Sequence, residues 1–410
     1  MTPDAPTPRR PTYAARAERF HPSGVRSVFD IAMQPGMISL AGGSPDLAAL
    51  PRDVVAGLAV GVLRDREVDA LQYQPAQGLA GTIEAIREVM RAEGVEAGPE
   101  RIQVTAGSQM GLQAITTLLA DPGDTVLAEA PTYVGALSIF GGLEAEVAQV
   151  DIDEDGMIPA ALEETIARVR ASGSRIPFLY TVPTFGNPSG ATLGEERRDA
   201  VVEICRREGI LIVEDNPYGM LAFDDAGDTR SARTTLYARD PENVVYLGSF
   251  SKIFSPGVRV GWVAAPVELR ARVQLVVEAM TIHASVPGQL LAERFVTQTD
   301  WRAHVRRSTA VYRDRRDALM AALERHMPAG TTWTHPRGGF FTVVTLPDGT
   351  PSDGLLDAAI AARVVYVPGS AFMADGSRED TVRLAFSFEP EERLAEGARR
   401  LAEAVRSLSP

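Results

Sequence analysis

VVYLGSFSKIFSPGVRVGWVAAP, residues 244–266, sets two β-rich runs around a loop that carries Ser249, Ser251, Lys252 and Arg259. Short apolar runs bounded by Gly or Pro read as buried strands. From about Arg101 the same texture recurs in RIQVTAG (101–107), TVLAEAP (125–131), AEVAQVD (145–151), IPFLYTVP (176–183) and ILIVEDNP (210–217). Between these runs lie amphipathic stretches such as GLQAITTLLADPG (111–123) and EERRDAVVEICRREG (195–209), each stopped by Gly or Pro. Strands alternating with helices imply parallel strands joined by crossover helices. The predicted fold class is therefore α/β, with a mostly parallel sheet sandwiched by helices.

After about Ser285 the texture changes to a long Arg- and Ala-rich helical stretch, Pro287–His326. Shorter strands follow in TWTHPRGGFFTVVTLP (332–347), RVVYVPG (363–369) and TVRLAFSF (381–388), closed by a helix over Glu391–Leu408. This reads as a second, smaller α+β domain. The expected organisation is an N-terminal arm and part of the small domain over residues 1–45, a large domain over 46–285 and the small domain over 286–410. The arm contains a helical piece, VRSVFDIAM (25–33), and is expected to pack on the small domain.

At 410 residues the chain exceeds what one small core needs. An apolar share of 45% and a charged share of 23% are those of an ordinary globular protein, neither disordered nor fibrous. No apolar run approaches the ~18 residues that cross a bilayer, and the first twenty residues hold no continuous apolar block, so a cytoplasmic setting is expected. A net charge of −13 repels polyphosphate, which argues against nucleic acid and for a small-molecule partner. The single cysteine, Cys205, excludes an internal disulfide and sits where the inner face of a helix is expected.

Of the 41 basic residues, Lys252 is the sole lysine. Its loop lies just beyond a strand end, where ligands of open α/β sheets bind. A lysine there can form a Schiff base with an aldehyde cofactor, while two hydroxyls and Arg259 offer donors to a phosphate. A nucleotide-binding P-loop fails, because Ile253 rather than Ser or Thr follows the lysine. In VEDNPYG (213–219), Asp215 ends another strand; an anionic carboxylate there would keep a pyridine nitrogen protonated. Tyr218, in the loop that follows, can donate to the ring's 3-oxygen, as can Asn187 in TFGNPSG (184–190). In TAGSQMGLQ (105–113), the amides of Ser108 and Gln109 open a helix and point at an anion. Tyr133 in APTYVGA (130–136) offers a face for stacking on an aromatic ring. Taken singly, Asp215 and Ser108 could be helix caps, and Tyr133 could be packing.

GSFSK, VEDNPYG, FGNPSG, TAGSQ and APTY, in this order and spacing, resemble the fold-type I pyridoxal 5'-phosphate-dependent aminotransferases of class I/II. LAGGSPD (40–46), LQYQPAQG (71–78) and GSFSKIFSPGVRVGW (248–262) resemble the 2-aminoadipate and multi-substrate branch, which acts on branched-chain and aromatic amino acids. The resemblance implies a transaminase that moves an amino group from an L-amino acid to a 2-oxo acid by a ping-pong sequence. It implies Lys252 as the Schiff-base lysine and proton shuttle, Asp215 on the ring nitrogen, Asn187 and Tyr218 on the 3-oxygen and Tyr133 on the ring. It assigns the phosphate to Ser108, Gln109, Ser249, Ser251 and Arg259, joined by Tyr73 from the neighbouring subunit of a homodimer. For the substrate, it implies Arg383 on the α-carboxylate, with Asn187 beside it, Gly43 as a close backbone approach and Arg26 at a distal carboxylate. On the residues alone, Arg383 and Arg26 could equally face solvent.

Gly186 stands where relatives commonly carry Gln, and Leu50 where many carry Phe, so a specificity copied from any one relative does not follow. An oxidase, decarboxylase or lyase on the same scaffold is the alternative reading. A transcription regulator built on such a domain is not expected, for want of a basic recognition helix.

Overall fold

The computed structural model describes residues 12–19, 28, 30–48, 50–223, 234–347 and 350–408. Fourteen strands occur among them: β1 Ile38–Ser39, β2 Ile102–Thr105, β3 Thr125–Ala130, β4 Glu146–Asp153, β5 Gly156–Met157, β6 Phe178–Thr181, β7 Leu211–Asp215, β8 Val244–Ser249, β9 Gly261–Ala264, β10 Thr332–Trp333, β11 Phe341–Thr345, β12 Val364–Val365, β13 Val367–Pro368 and β14 Thr381–Ala385. The large sheet has the order β2-β9-β8-β7-β6-β3-β4-β5. Its centre, β8-β7-β6-β3-β4, is parallel, as the alternation of strands and helices requires. Burial on both faces explains the unbroken apolar runs of β6, β7 and β8.

Two expectations are corrected. RVGWVAAP does not continue the parallel set, because β9 runs antiparallel to both β8 and β2. The connection from Ser249 to Gly261 is too short for a crossover helix, which takes a dozen residues or more, so the chain can only turn back. Nor is the stretch over 287–326 one helix. It is Val286–Gln298 followed by Trp301–His326, divided where the Asp300 side chain accepts from the Ala303 amide as an N-cap. The first of these helices packs against Arg52–Asp65 and Ala80–Ala92 beside the large sheet, and the second against Glu391–Leu408.

The small sheet, β10-β11-β14-β13, is antiparallel. Helix Glu391–Leu408 places Leu394, Ala398, Leu401, Ala402 and Val405 on one buried stripe, the 3.6-residue spacing that seats a helix on a neighbour. The arm joins this side of the molecule through β1, which pairs with β12 in register Ile38↔Val364. No helix among the described residues is long and apolar enough to cross a membrane. Cys205 is buried on helix Glu195–Glu208, as its pattern predicts.

One buried group is out of place in an apolar core. Glu93, at the end of helix Ala80–Ala92, receives the Tyr246 hydroxyl on Oε2 and the Asn216 amide on Oε1 at 3.5 Å. No cation among the described residues pairs with it, and burial pushes its carboxyl up to about 8. A carboxyl that keeps its proton longer in the folded state than in the unfolded one contributes fully at acid pH. That contribution is lost as pH rises from the ordinary carboxylate range through about 8. Glu93→Gln keeps a neutral amide in the same place, so its melting temperature should fall less than that of the wild type as pH is raised across this range. Parallel melting profiles for the two proteins would show that Glu93 is ionised throughout.

Candidate active site

The carboxyl ends of β6, β7 and β8 open on a cavity of about 420 Å³. Its wall brings together Gly43, Ser108, Gln109, Tyr133, Asn187, Asp215, Tyr218, Ser249, Ser251, Lys252, Arg259 and Arg383, from segments scattered along the chain. A larger open cleft of about 830 Å³ runs along residues 153–155, 189–194 and 332–337, but none of the candidate residues lines it. Chemistry, rather than size, therefore identifies the site.

Asp215 ends β7 and is buried; its Oδ2 accepts from the Tyr180 hydroxyl at 2.9 Å, while its Oδ1 is buried without a partner. Burial pushes the carboxyl up to about 6, held back by the Tyr180 hydrogen bond and by Lys252. It is therefore an ionised acceptor at neutral pH with one unused oxygen, the group that the N–H of a protonated pyridine would satisfy. Lys252 sits in the turn after β8, and its Nζ donates to the Gly43 carbonyl at 3.1 Å. Burial, with Arg383 and Arg259 nearby, pushes its amine down to about 8 against the pull of Asp215. A substantial neutral fraction is thus available to attack an aldehyde or take a proton.

The anion cradle is built from Ser108, Ser249, Ser251 and Arg259 on the same cavity wall. Ser108 opens helix Ser108–Leu119, which leaves its first amides free. Ser249 Oγ lies 2.8 Å from Ser251 Oγ and accepts from the Ser251 amide at 3.0 Å. Arg259, left-handed at φ 51°, folds back to donate from Nη2 to the Ala106 carbonyl at 2.8 Å. The packing leaves no room to spare: a Cβ on Gly107 would lie 2.6 Å from Arg259 Nη2, and one on Gly261 would lie 2.6 Å from the Ser108 amide nitrogen.

Arg383, on β14, is buried with no carboxylate partner among the described residues. Nη1 donates to Asn187 Oδ1 at 3.0 Å, Nη2 to the Ala41 carbonyl, and Nε to nothing. The guanidinium also lies 4.3 Å from the centre of the Phe341 ring and 5.0 Å from that of Phe372. Burial lowers its pKa to about 10, the signature of a cation short of its anion. Tyr218 is buried against Phe340 and Phe341, and burial holds its phenol well above the usual range. Tyr133 heads helix Val134–Gly142, its ring lying where a side chain on Gly135 would be.

The remaining sequence candidates fall elsewhere. Tyr73 is 72% exposed, edge-on to His283 at 5.9 Å and away from the cavity wall. Arg26 lies outside the described residues. Neither Gly186 nor Leu50 lines the cavity. Sequence reasoning missed Phe341, whose ring occupies the space a Cβ on Gly43 would need, and Tyr180. The unusual pair of aromatics in RGGFF was the available signal for the first.

It also missed Arg198. This residue is fully buried and donates to the carbonyls of Leu193 and Pro183 at 2.8 and 2.9 Å and to Thr184 Oγ1 at 2.9 Å. It thereby clamps both ends of the turn that presents Asn187. Its Nη1 lies 3.9 Å from Glu214, the neighbour of Asp215, whose own oxygens accept from the amides of Leu236 and Tyr237.

Residues 35–401 match the class I and II aminotransferases. The chain is 36% identical to an aromatic-amino-acid aminotransferase of Thermococcus litoralis, over 96% of this chain and 94% of that one. It superposes on a Pyrococcus horikoshii kynurenine aminotransferase, solved with pyridoxamine phosphate and kynurenine, at a TM-score of 0.91 and 35% identity, covering 97% and 98% of the two chains. It superposes also on an α-aminoadipate aminotransferase of Thermus thermophilus, solved with N-(5'-phosphopyridoxyl)-L-leucine, at 0.86 and 32% identity, covering 97% of each chain.

Removing the Arg198 clamp should be felt in stability before chemistry. Arg198→Met leaves Glu214 buried without its cation, and denaturant unfolding should show a loss of about 3–5 kcal/mol. A loss below about 1 kcal/mol, the scale of an exposed ion pair, would mean that the clamp is energetically idle.

Proposed function

This chain belongs to the class I and II aminotransferases and is a pyridoxal 5'-phosphate-dependent transaminase, and from that premise we propose which of its residues carry the reaction. The cofactor, when bound, supplies an aldehyde that takes up the amino group and a ring that absorbs the electron pair left at the substrate's α-carbon. The observation that carries the proposal is the placing of two buried atoms without hydrogen-bond partners, Asp215 Oδ1 and Arg383 Nε, on residues that share a cavity wall with the chain's only lysine.

Lys252 is the residue that would hold the cofactor's aldehyde, and its Nζ, when free, is the base placed to take the substrate's α-proton and return it. Its amine, at about 8, suits both tasks near neutrality. Asp215 would keep the ring nitrogen protonated, Asn187 and Tyr218 would hold the 3-oxygen, and Tyr133 would offer its face to the ring. Ser108, Gln109, Ser249, Ser251 and Arg259 bind the phosphate. Arg383 grips the substrate α-carboxylate with Asn187 beside it, and the absence of a side chain on Gly43 lets the backbone approach. Arg26 is assigned to a distal substrate carboxylate on the resemblance alone.

Tyr73 is proposed to reach the phosphate of a second copy in a homodimer. Its exposure, together with that of Leu71, Val68 and Leu63 earlier in the chain, supports a partner at this part of the surface. The proposed division is an arm over residues 1–45, a large domain over 46–285 and a small domain over 286–410, with Val286–Gln298 as the passage between the last two. A cytoplasmic setting is proposed with it. The relatives' names make aromatic amino acids, kynurenine and 2-aminoadipate the donors to try first. An oxidase, decarboxylase or lyase is not favoured, because these relatives are named for transamination.

Addition of single L-amino acids to the purified protein, without an acceptor, should move its visible absorption band to the ultraviolet with release of one equivalent of 2-oxo acid. The Lys252→Ala variant should not respond. Oxygen uptake with accumulating ammonia and an unchanged band would favour the oxidase instead. Arg383→Lys exchanges a two-pronged donor for a point charge and should raise KM for donor and acceptor alike by about 10- to 100-fold, with a smaller change in kcat. An unchanged KM for both substrates would remove Arg383 from the carboxylate.

A further inference from the structure

We propose that Tyr180 is a positioning residue for the reaction: its hydroxyl holds Asp215 Oδ2 so that the carboxylate stays ionised and presents Oδ1 to the cofactor's ring nitrogen. The proposal rests on the assignment of Asp215 to that nitrogen.

The geometry follows from the sheet. In the β6–β7 register Tyr180 is opposite Val213, and side chains alternate along a strand, so Asp215, two residues on, shares the face of Tyr180. The phenol reaches it at 2.9 Å. Tyr180 is fully buried and does not line the cavity; its ring is fixed edge-on by Phe140 at 5.7 Å. Burial, with Asp215 and then Tyr133 and Glu129 adding to it, holds this phenol well above its ordinary range, so it is a donor at every working pH. Asp215 Oδ2 is thereby committed and Oδ1 is the oxygen left over.

A hydroxyl in this position does two things that a phenylalanine would not. It fixes the plane of the carboxylate, and it offsets part of the desolvation that drives the carboxyl toward its neutral form. The other titratable or charged groups that act on or feel Asp215 are Lys252, Tyr133 and Tyr218. Of these, Lys252 alone favours the ionised carboxylate, and it is the group that must surrender its charge to do chemistry.

The test is cofactor affinity of the apoprotein, measured by equilibrium dialysis for wild type, Tyr180→Phe and Asp215→Asn. Each is measured with pyridoxal 5'-phosphate and with a carbocyclic analogue that has carbon in place of the ring nitrogen. Tyr180→Phe should weaken the natural cofactor about tenfold and the analogue by no more than about twofold. The deficit for the natural cofactor should widen as pH is lowered from about 9 to about 6, as the variant's Asp215 takes up its proton earlier. Equal weakening of both ligands, no weakening of either, or a deficit independent of pH would reduce Tyr180 to a packing residue and overturn the proposal. Asp215→Asn reports separately on the assignment beneath it. If that substitution weakens the natural cofactor no more than it weakens the analogue, Asp215 does not meet the ring nitrogen, whatever Tyr180 does.

Discussion

A carboxylate buried at the end of a parallel strand, with one oxygen held and the other left open, is the constraint around which this molecule is arranged. Strand β7 delivers it, and the alternation of side chains along that strand separates two acids with opposite tasks. Glu214 points to the structural side, toward Arg198 and two backbone amides, while Asp215 points to the cavity. Sharing one strand end, the clamp on the Asn187 turn and the acid of the site cannot drift apart. The short return from β8 to β9 then places Lys252 and the serines over the same rim, because a chain that must turn back within so few residues projects its loop where the strands end.

Much of this was readable before any coordinates. Strand ends in α/β sheets are where ligands collect, so a sole lysine after VVYLGSF and an acid after ILIVE located the site; of the twelve candidates that the cavity gathers, Arg383 and Gly43 came only from the family resemblance. What was not readable depended on register and on direction. Nothing in RVGWVAAP distinguishes an antiparallel strand from a parallel one; only the length of the preceding connection does. Asp300 is of a residue type that favours an N-cap, but the helical pattern on both sides of it masks the break. Tyr180 was one more apolar residue in IPFLYTVP until the pairing of β6 with β7 set it beside Asp215, and Arg198 was a polar letter in an amphipathic helix until its partners fixed it inside.

Arg383 shows the opposite case, in which the structure sharpens what a pattern left open. An arginine alternating with apolar residues on a strand could face either way. Here it faces inward, among Phe341, Phe372 and Asn187, and no described carboxylate answers its charge. A cation held without an anion weakens the empty protein and strengthens the grip on whatever anion arrives.

The same guanidinium joins three separate parts of the chain. It stands on the small sheet, donates to Asn187 on a turn of the large one, and donates to Ala41 in the arm that leads from β1. It is a rivet through three plates as well as the proposed hook for a substrate carboxylate, and a rivet cannot be moved to suit a different cargo without loosening the plates. Evolutionary drift in what this protein accepts is thereby steered to the aromatic walls and the arm, while the hook stays where the frame needs it.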